Sequence, residues 1–115
     1  MQEKQVAETL IRLGFRPHMS GYRYALAAVC MILEQPDARL PLTKVIYPDV
    51  GKRYKVKPNQ VERAIRCSIE QTATNTTKEW RRFVALYPKS DWPPAGWVLF
   101  TLAEMMRLKM MVAEG

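Results

Sequence analysis

The sequence predicts an all-α fold of about six helices containing a helix-turn-helix, a winged-helix-like or effector-domain arrangement without evident strands. Three observations predict it. Apolar residues recur at helical spacing in one segment after another, and no stretch shows the strict alternation of a half-buried strand. Prolines and polar turns separate these segments at short intervals. Two short helical segments in mid-chain are joined by a tight connector, with a polar ridge at the start of the second. The 115 residues suffice for one domain with its own core, 1–115, and are too few for two comfortable ones. Apolar content of 48% and charge of 25% are those of an ordinary globular protein.

The first helix runs from about Gln2 to Leu13, because Val6, Leu10 and Leu13 share one face and Gly14 suits the position just past a helix end. A short turn, FRPH, follows. Ser20 reads as the cap of a second helix from about Gly21 to Glu34, with Tyr22, Leu26, Val29 and Leu33 on one side and Pro36 as its stop. DARLP is a loop. Helical character resumes at Thr43, and Pro48 forces a break or a new start. A short helix over PDVGKRY begins there, since proline is accommodated in the first helical turn. KVKP connects it to a longer helix from about Asn59 to Ala73, placing the helix-turn-helix at about 48–73. Asn59 and Glu62 have capping-box spacing, and Pro58 keeps the preceding helix from running straight through. TNTT is a polar break. EWRRFVALY is a short helix ended by Pro88, KSDWPP is a turn, and the last helix opens between Asp91 and Pro94 and runs to about Met111.

Eighteen Lys and Arg against eleven Asp and Glu give a formal charge of +7, a surplus that favours a polyanionic partner. Its location is more informative than its size. From Lys52 to Arg66 there are six basic residues (Lys52, Arg53, Lys55, Lys57, Arg63, Arg66) and one acid, Glu62. A step of about 100° per residue puts Val61, Ala64, Ile65, Ser68 and Ile69 on one side of the longer helix. Asn59, Arg63, Arg66 and Glu70 fall on the other, with Glu62 and Cys67 flanking them. Gly51 allows a second helix to cross closely, Val50 and Tyr54 supply a buried side, and Val56 can plug the turn. In a helix-turn-helix the second helix enters the major groove of DNA. Arginines on its ridge can bond two acceptors of a guanine edge at once, while lysines around the turn meet phosphates. Glu62 can accept a bond from a cytosine amino group, or orient Arg63 or Arg66.

A polar outer face with this spacing is ordinarily just a solvated surface, and one feature opposes the DNA reading. Position 55 is where such turns hold Gly or Asn in a left-handed conformation, and lysine there predicts a longer or differently shaped turn. Two other function classes stand beside DNA binding. One is a helical protein-interaction module docking on an acidic partner, and the other an RNA-binding domain using the same basic face. An enzyme is not expected: there is no phosphate-cradling glycine loop and no nucleophile with a histidine and acid in recognisable context. His18 is the only histidine and most simply supports the start of the second helix; neither metal nor cofactor is expected. No apolar run approaches the ~18 residues needed to span a bilayer. No export signal is visible, and Cys30 and Cys67 are not in metal or redox spacing. Together these predict a reduced, cytoplasmic, nucleoid-associated chain. Tyr22, Tyr24, Tyr47 and Cys30 read as core, and Trp80, Trp92 and Trp97 as pins for the C-terminal helices. Arg81, Arg82 and Lys89 read as surface charges, with contact to phosphate as the alternative. Met105, Met106, Met110 and Met111 lie on nearly every side of the last helix, as core or as a dimer interface.

HMSGYRYALAAV, followed by LTKVIYPDVGKRYKVKPNQVERAIRCSIE, resembles the C-terminal effector domain of the sporulation master response regulator of endospore-forming bacteria. The motifs that carry the resemblance are His18 to Tyr24, Thr43 to Asp49 and Val61 to Arg66, in order, within a match over about residues 11 to 70. After that only the final helix with MRLK looks related. The resemblance implies an all-α domain of six helices that binds short promoter boxes, often as tandem dimers, and regulates transcription, with the RNA polymerase sigma subunit as a further partner. It puts Glu62, Arg63 and Arg66 at base edges with Asn59, Gln60 and Cys67 nearby, while the placing of charge in the sequence itself assigns Lys44, Lys52, Lys55 and Lys57 to phosphates. Position 67 is usually histidine in that family, so cysteine implies a different preferred box. In that family a receiver module of about 120 residues precedes this domain, which a chain of this length cannot also hold. The expectation is an effector domain either excised from a longer protein or existing without a receiver.

Overall fold

The computed structural model describes residues 2–37, 39–89 and 92–109. Six α-helices follow one another: α1 (Gln2–Leu13), α2 (Ser20–Glu34), α3 (Tyr47–Tyr54), α4 (Pro58–Thr74), α5 (Lys78–Val84) and α6 (Ala95–Arg107). A π-helical turn, Leu42–Ile46, leads into α3. Among the described residues there is no strand, and no helix is long and apolar enough to cross a membrane.

α2 is the central element, packed against α4, α6, α1 and α3. Its sequence suits that place, because Ala25, Ala27 and Ala28 are buried and their small side chains let neighbouring helices come close. Gly21 goes further. A Cβ there would lie 2.2 Å from both the Ala64 carbonyl oxygen and Ser68 Oγ, so the first turn of α2 rests directly on the backbone of α4. Around α2 the core is filled by Val6, Leu10 and Leu13 of α1, Val61 and Ile65 of α4, and Val98, Leu99 and Leu102 of α6, all fully buried.

Local chemistry ends each helix. Gly14 adopts φ 118°, and the Phe15 and Gly14 N–H groups bond back to the Leu10 and Ile11 carbonyls at 3.0 Å, which closes α1 with a left-handed glycine. Thr77 caps α5 by accepting the Trp80 N–H at 2.9 Å, and its own hydroxyl donates to the Leu13 carbonyl at 2.9 Å. One threonine thereby ties the start of α5 to the end of α1. The rings of Trp80, Phe83, Trp97 and Tyr87 form a chain with centroids 5.0 to 5.8 Å apart, and this pins α5 to α6.

Several expectations need correction. Ser20 is the first residue of α2 and not its cap; Met19 holds that position, with no side-chain bond. Of the two outcomes expected at Pro48 the new start is the one found, with the proline in the first turn of α3. The Pro41 carbonyl accepts both the Val45 and Ile46 N–H groups, at 3.0 and 3.1 Å, and this wider turn carries the chain into α3. A proline has no N–H to give and its ring crowds the carbonyl four residues back, which a widened turn accommodates. α5 stops at Val84, short of the expected Tyr87, and α6 starts at Ala95 and ends at Arg107. Asp91, Met110 and Met111 lie outside the described residues. Trp80 is buried and Trp97 half-buried, as pins should be, but Trp92 is 54% exposed and pins nothing.

Candidate nucleic-acid interface

The site begins with a reversal of the chain. The last turn of α3 closes on Gly51, whose carbonyl accepts the Val56 N–H at 2.9 Å. Lys55 makes the reversal possible by adopting φ 60°, ψ 44°. The expected longer or differently shaped turn is therefore not present. The lysine itself takes the left-handed conformation, at a cost of roughly 1 kcal/mol. A Cβ on Gly51 would lie 2.5 Å from the Val56 carbonyl oxygen, so only glycine lets the connector fold back this tightly. Lys57 then extends the chain at φ −80°, ψ 153°, and Pro58 opens α4.

The cap of α4 lies two residues before the expected one. Lys57 occupies the cap position, and Gln60 Oε1 reaches back to accept the Lys57 N–H at 2.8 Å. A lysine side chain has no acceptor, so only this half of a capping box operates. The expected Asn59–Glu62 pairing is absent because both residues are already inside the helix. Gln60, read as lying near bases, has its carbonyl oxygen engaged in the cap and keeps its amide NH₂ for other partners.

Past the cap, α4 is divided as its periodicity demands. Val61 and Ile65 are fully buried, Ser68 and Ile69 nearly so, and Ala64 half-buried. Asn59, Arg63, Arg66, Cys67 and Glu70 are exposed, and Glu62 is half-buried at the flank. The two arginines are not equivalent. Arg66 Nε lies 3.2 Å from Glu62 Oε2 and its terminal nitrogen 3.4 Å from Glu62 Oε1, a forked pair one helical turn apart. Both side chains keep solvent contact, at 54% and 40% exposure, so the pair orients the guanidinium more than it stabilises the fold. Arg63 has no ion-pair partner among the described residues. Behind this flank the buried Tyr47 hydroxyl has its pKa pushed up to about 12, chiefly by burial and secondly by the Glu62 charge.

Lys44, Lys52, Lys55 and Lys57 are all exposed, on the π-turn, the last turn of α3 and the connector. Arg53, counted with them in the sequence, borders a different groove with Glu3 and Glu34. Lys55 and Lys57 thus immediately precede the helix that carries the ridge, whereas Arg53 faces the groove with Glu3 and Glu34. Among the described residues no three His, Cys, Asp or Glu side chains are grouped to hold a metal ion.

Trp92 is a neighbour of the ridge that helical periodicity did not reveal. It lines a groove of about 260 Å³ with Glu62, Arg66, Ile69 and Glu70. The one sequence signal was its placement before Pro93 and Pro94, which exclude it from a helix interior and leave its partners undetermined. The sequence matches the family described as sporulation initiation factor Spo0A C terminal over residues 6–89. That span includes the whole of α2 through α5 and all the residues of the ridge and turn.

Proposed function

The chain belongs to the Spo0A C-terminal family of sporulation-related, DNA-binding response-regulator effector domains, and from that membership we propose that it is a sequence-specific transcription regulator reading duplex DNA through α4. In this reading α3, the connector and α4 act as a helix-turn-helix, with α4 entering the major groove. Arg63 and Arg66 bond guanine edges, with Glu62 holding Arg66 at the angle for a two-pronged contact. Asn59 and the free amide of Gln60 lie at the entry of the helix. Cys67 offers a small apolar surface that suits a thymine methyl. Lys44, Lys52, Lys55 and Lys57 hold phosphates and set register.

The observation that carries this reading is the exposed row Asn59–Arg63–Arg66 on a helix whose opposite side is packed, with Val61 and Ile65 fully buried. A module docking on an acidic protein would use the same charges without a steep dependence on salt or any preference among duplexes. Selection of random duplexes by the purified chain supplies the specific site and separates the two. Arg66→Ala is then expected to lower affinity for the selected duplex by about 1–3 kcal/mol and to relax the preference at one base pair. An unchanged specific-to-random ratio would remove Arg66 from the readout. Competition by structured RNA excludes or favours the RNA alternative. Family likeness also supports a homodimer on tandem boxes and contact with the RNA polymerase sigma subunit. Stoichiometry on duplexes with one and two selected boxes tests the first, and copurification with the isolated subunit the second.

A further inference from the structure

Trp92 is the one exposed aromatic side chain among the described residues, and it stands between two grooves. On one side is the groove of about 260 Å³ shared with Glu62, Arg66 and Glu70 of α4. On the other is a groove of about 300 Å³ that Trp92 shares with Arg81 of α5 and Lys89. Arg81 and Lys89 are exposed cations.

We infer that Trp92, Arg81 and Lys89 form a second contact strip, for the sugar–phosphate backbone that borders the groove entered by α4. The inference rests on the reading of α4 as the base-contacting helix. A helix fills a major groove roughly 12 Å wide, so a side chain at the flank of Arg66 meets the groove wall, which is a strand backbone. An exposed indole suits that wall, because its N–H donates to a phosphate oxygen while its ring packs on deoxyribose. Pro93 is buried, and the rings of Pro93 and Pro94 fix φ in the two residues that join Trp92 to α6, which limits the backbone freedom lost there on binding. Arg81 and Lys89 then stand on the far side of the ring, where the next phosphates along the strand would lie. Among the described residues two carboxylates line the groove that Trp92 shares with α4. Glu62 is neutralised by Arg66, and Glu70 lies on the α4 side of Trp92, which directs the strand over the indole toward α5.

The test uses the whole chain with the selected duplex and a random duplex of equal length. Trp92→Ala is expected to weaken both complexes by roughly fivefold to tenfold and to leave their ratio unchanged. The double variant Arg81→Ala, Lys89→Ala is expected to flatten the slope of log K against log salt by about two. Acrylamide quenching of the Trp92 emission, taken as the difference between the native chain and Trp92→Phe, is expected to fall when duplex is added. Thermal melts of each variant, all at exposed positions, separate lost contacts from lost fold. Unchanged affinity, slope and quenching, with Arg66→Ala still erasing the preference, would overturn the strip and leave the reading of α4 standing. A change in the specific-to-random ratio on Trp92→Ala would also overturn it, since Trp92 would then act by positioning Arg66. Failure to select any duplex would remove the reading of α4 and the strip with it.

Discussion

Lys55 shows how one residue can be strained for the fold and useful to the site. Its left-handed backbone is what turns α3 into α4, and its side chain is held in solvent beside the start of the ridge. Lys55→Gly should raise stability to heat or denaturant by up to about 1 kcal/mol, because glycine takes φ 60° without strain. The same change should weaken duplex binding, so the two readouts move in opposite directions. Tyr47 gives a different residue-scale expectation. Folded, it keeps its proton to about pH 12, whereas in an unfolded chain a tyrosine releases it near about pH 10. The unfolded state therefore loses the proton first, and stability from this group is intact below about pH 10 and declines as pH rises toward 12. In denaturant titrations across that range the native chain should lose stability relative to Tyr47→Phe as pH rises from about 10 to 12, and parallel curves for the two would show that burial does not hold the proton.

At the scale of elements, two glycines set how closely helices meet. Gly51 lets the connector close over α3, and Gly21 lets α2 rest on α4 at Ala64 and Ser68. The neighbours at both sites are backbone atoms or a short serine, which cannot swing aside as a long side chain would. Gly21→Ala should destabilise the fold by about 1–3 kcal/mol or more, the range for overpacking, despite alanine's better helix propensity. A stability equal to or above that of the native chain would mean that α2 and α4 can separate without loss. The ridge depends on this contact, because the face of α4 opposite Arg63 and Arg66 is the one that α2 holds. Gln60 plays a smaller part, supplying the acceptor that the lysine cap lacks.

For the molecule as a whole, charge and shape act on different observables. The charge of +7 favours any polyanion, whereas in the proposed function it is the exposed row on α4 that distinguishes one sequence from another. Lys57→Ala should therefore weaken selected and random duplexes alike and lower the salt slope by about one. Equal slopes for the native and Lys57→Ala chains would take Lys57 off the phosphates. The distribution of cations also matters. Arg53 borders a groove with Glu3 and Glu34, so one of the six cations between Lys52 and Arg66 belongs to another side of the protein.

The sequence by itself determined the helices, the partition of α4 into a packed and an open face, and the place of the turn. These follow from the spacing of apolar residues, from proline's missing N–H and from glycine's small size, all of which act over a few residues of chain. The motifs around His18–Tyr24, Thr43–Asp49 and Val61–Arg66 carried the family as well, since side chains in a fixed order survive as text. Cap positions were less legible: Ser20 and Asn59 look like caps, yet Met19 and Lys57 hold those places, and at α4 it is Pro58 and the Gln60 bond to the Lys57 N–H that mark the start. Only the tertiary structure decided that Gly21 touches Ala64, that Thr77 bonds Leu13, and that Trp92 stands beside Arg66. Those pairs are separated by tens of residues, and a meeting of that kind depends on how the whole core closes, which no local pattern records.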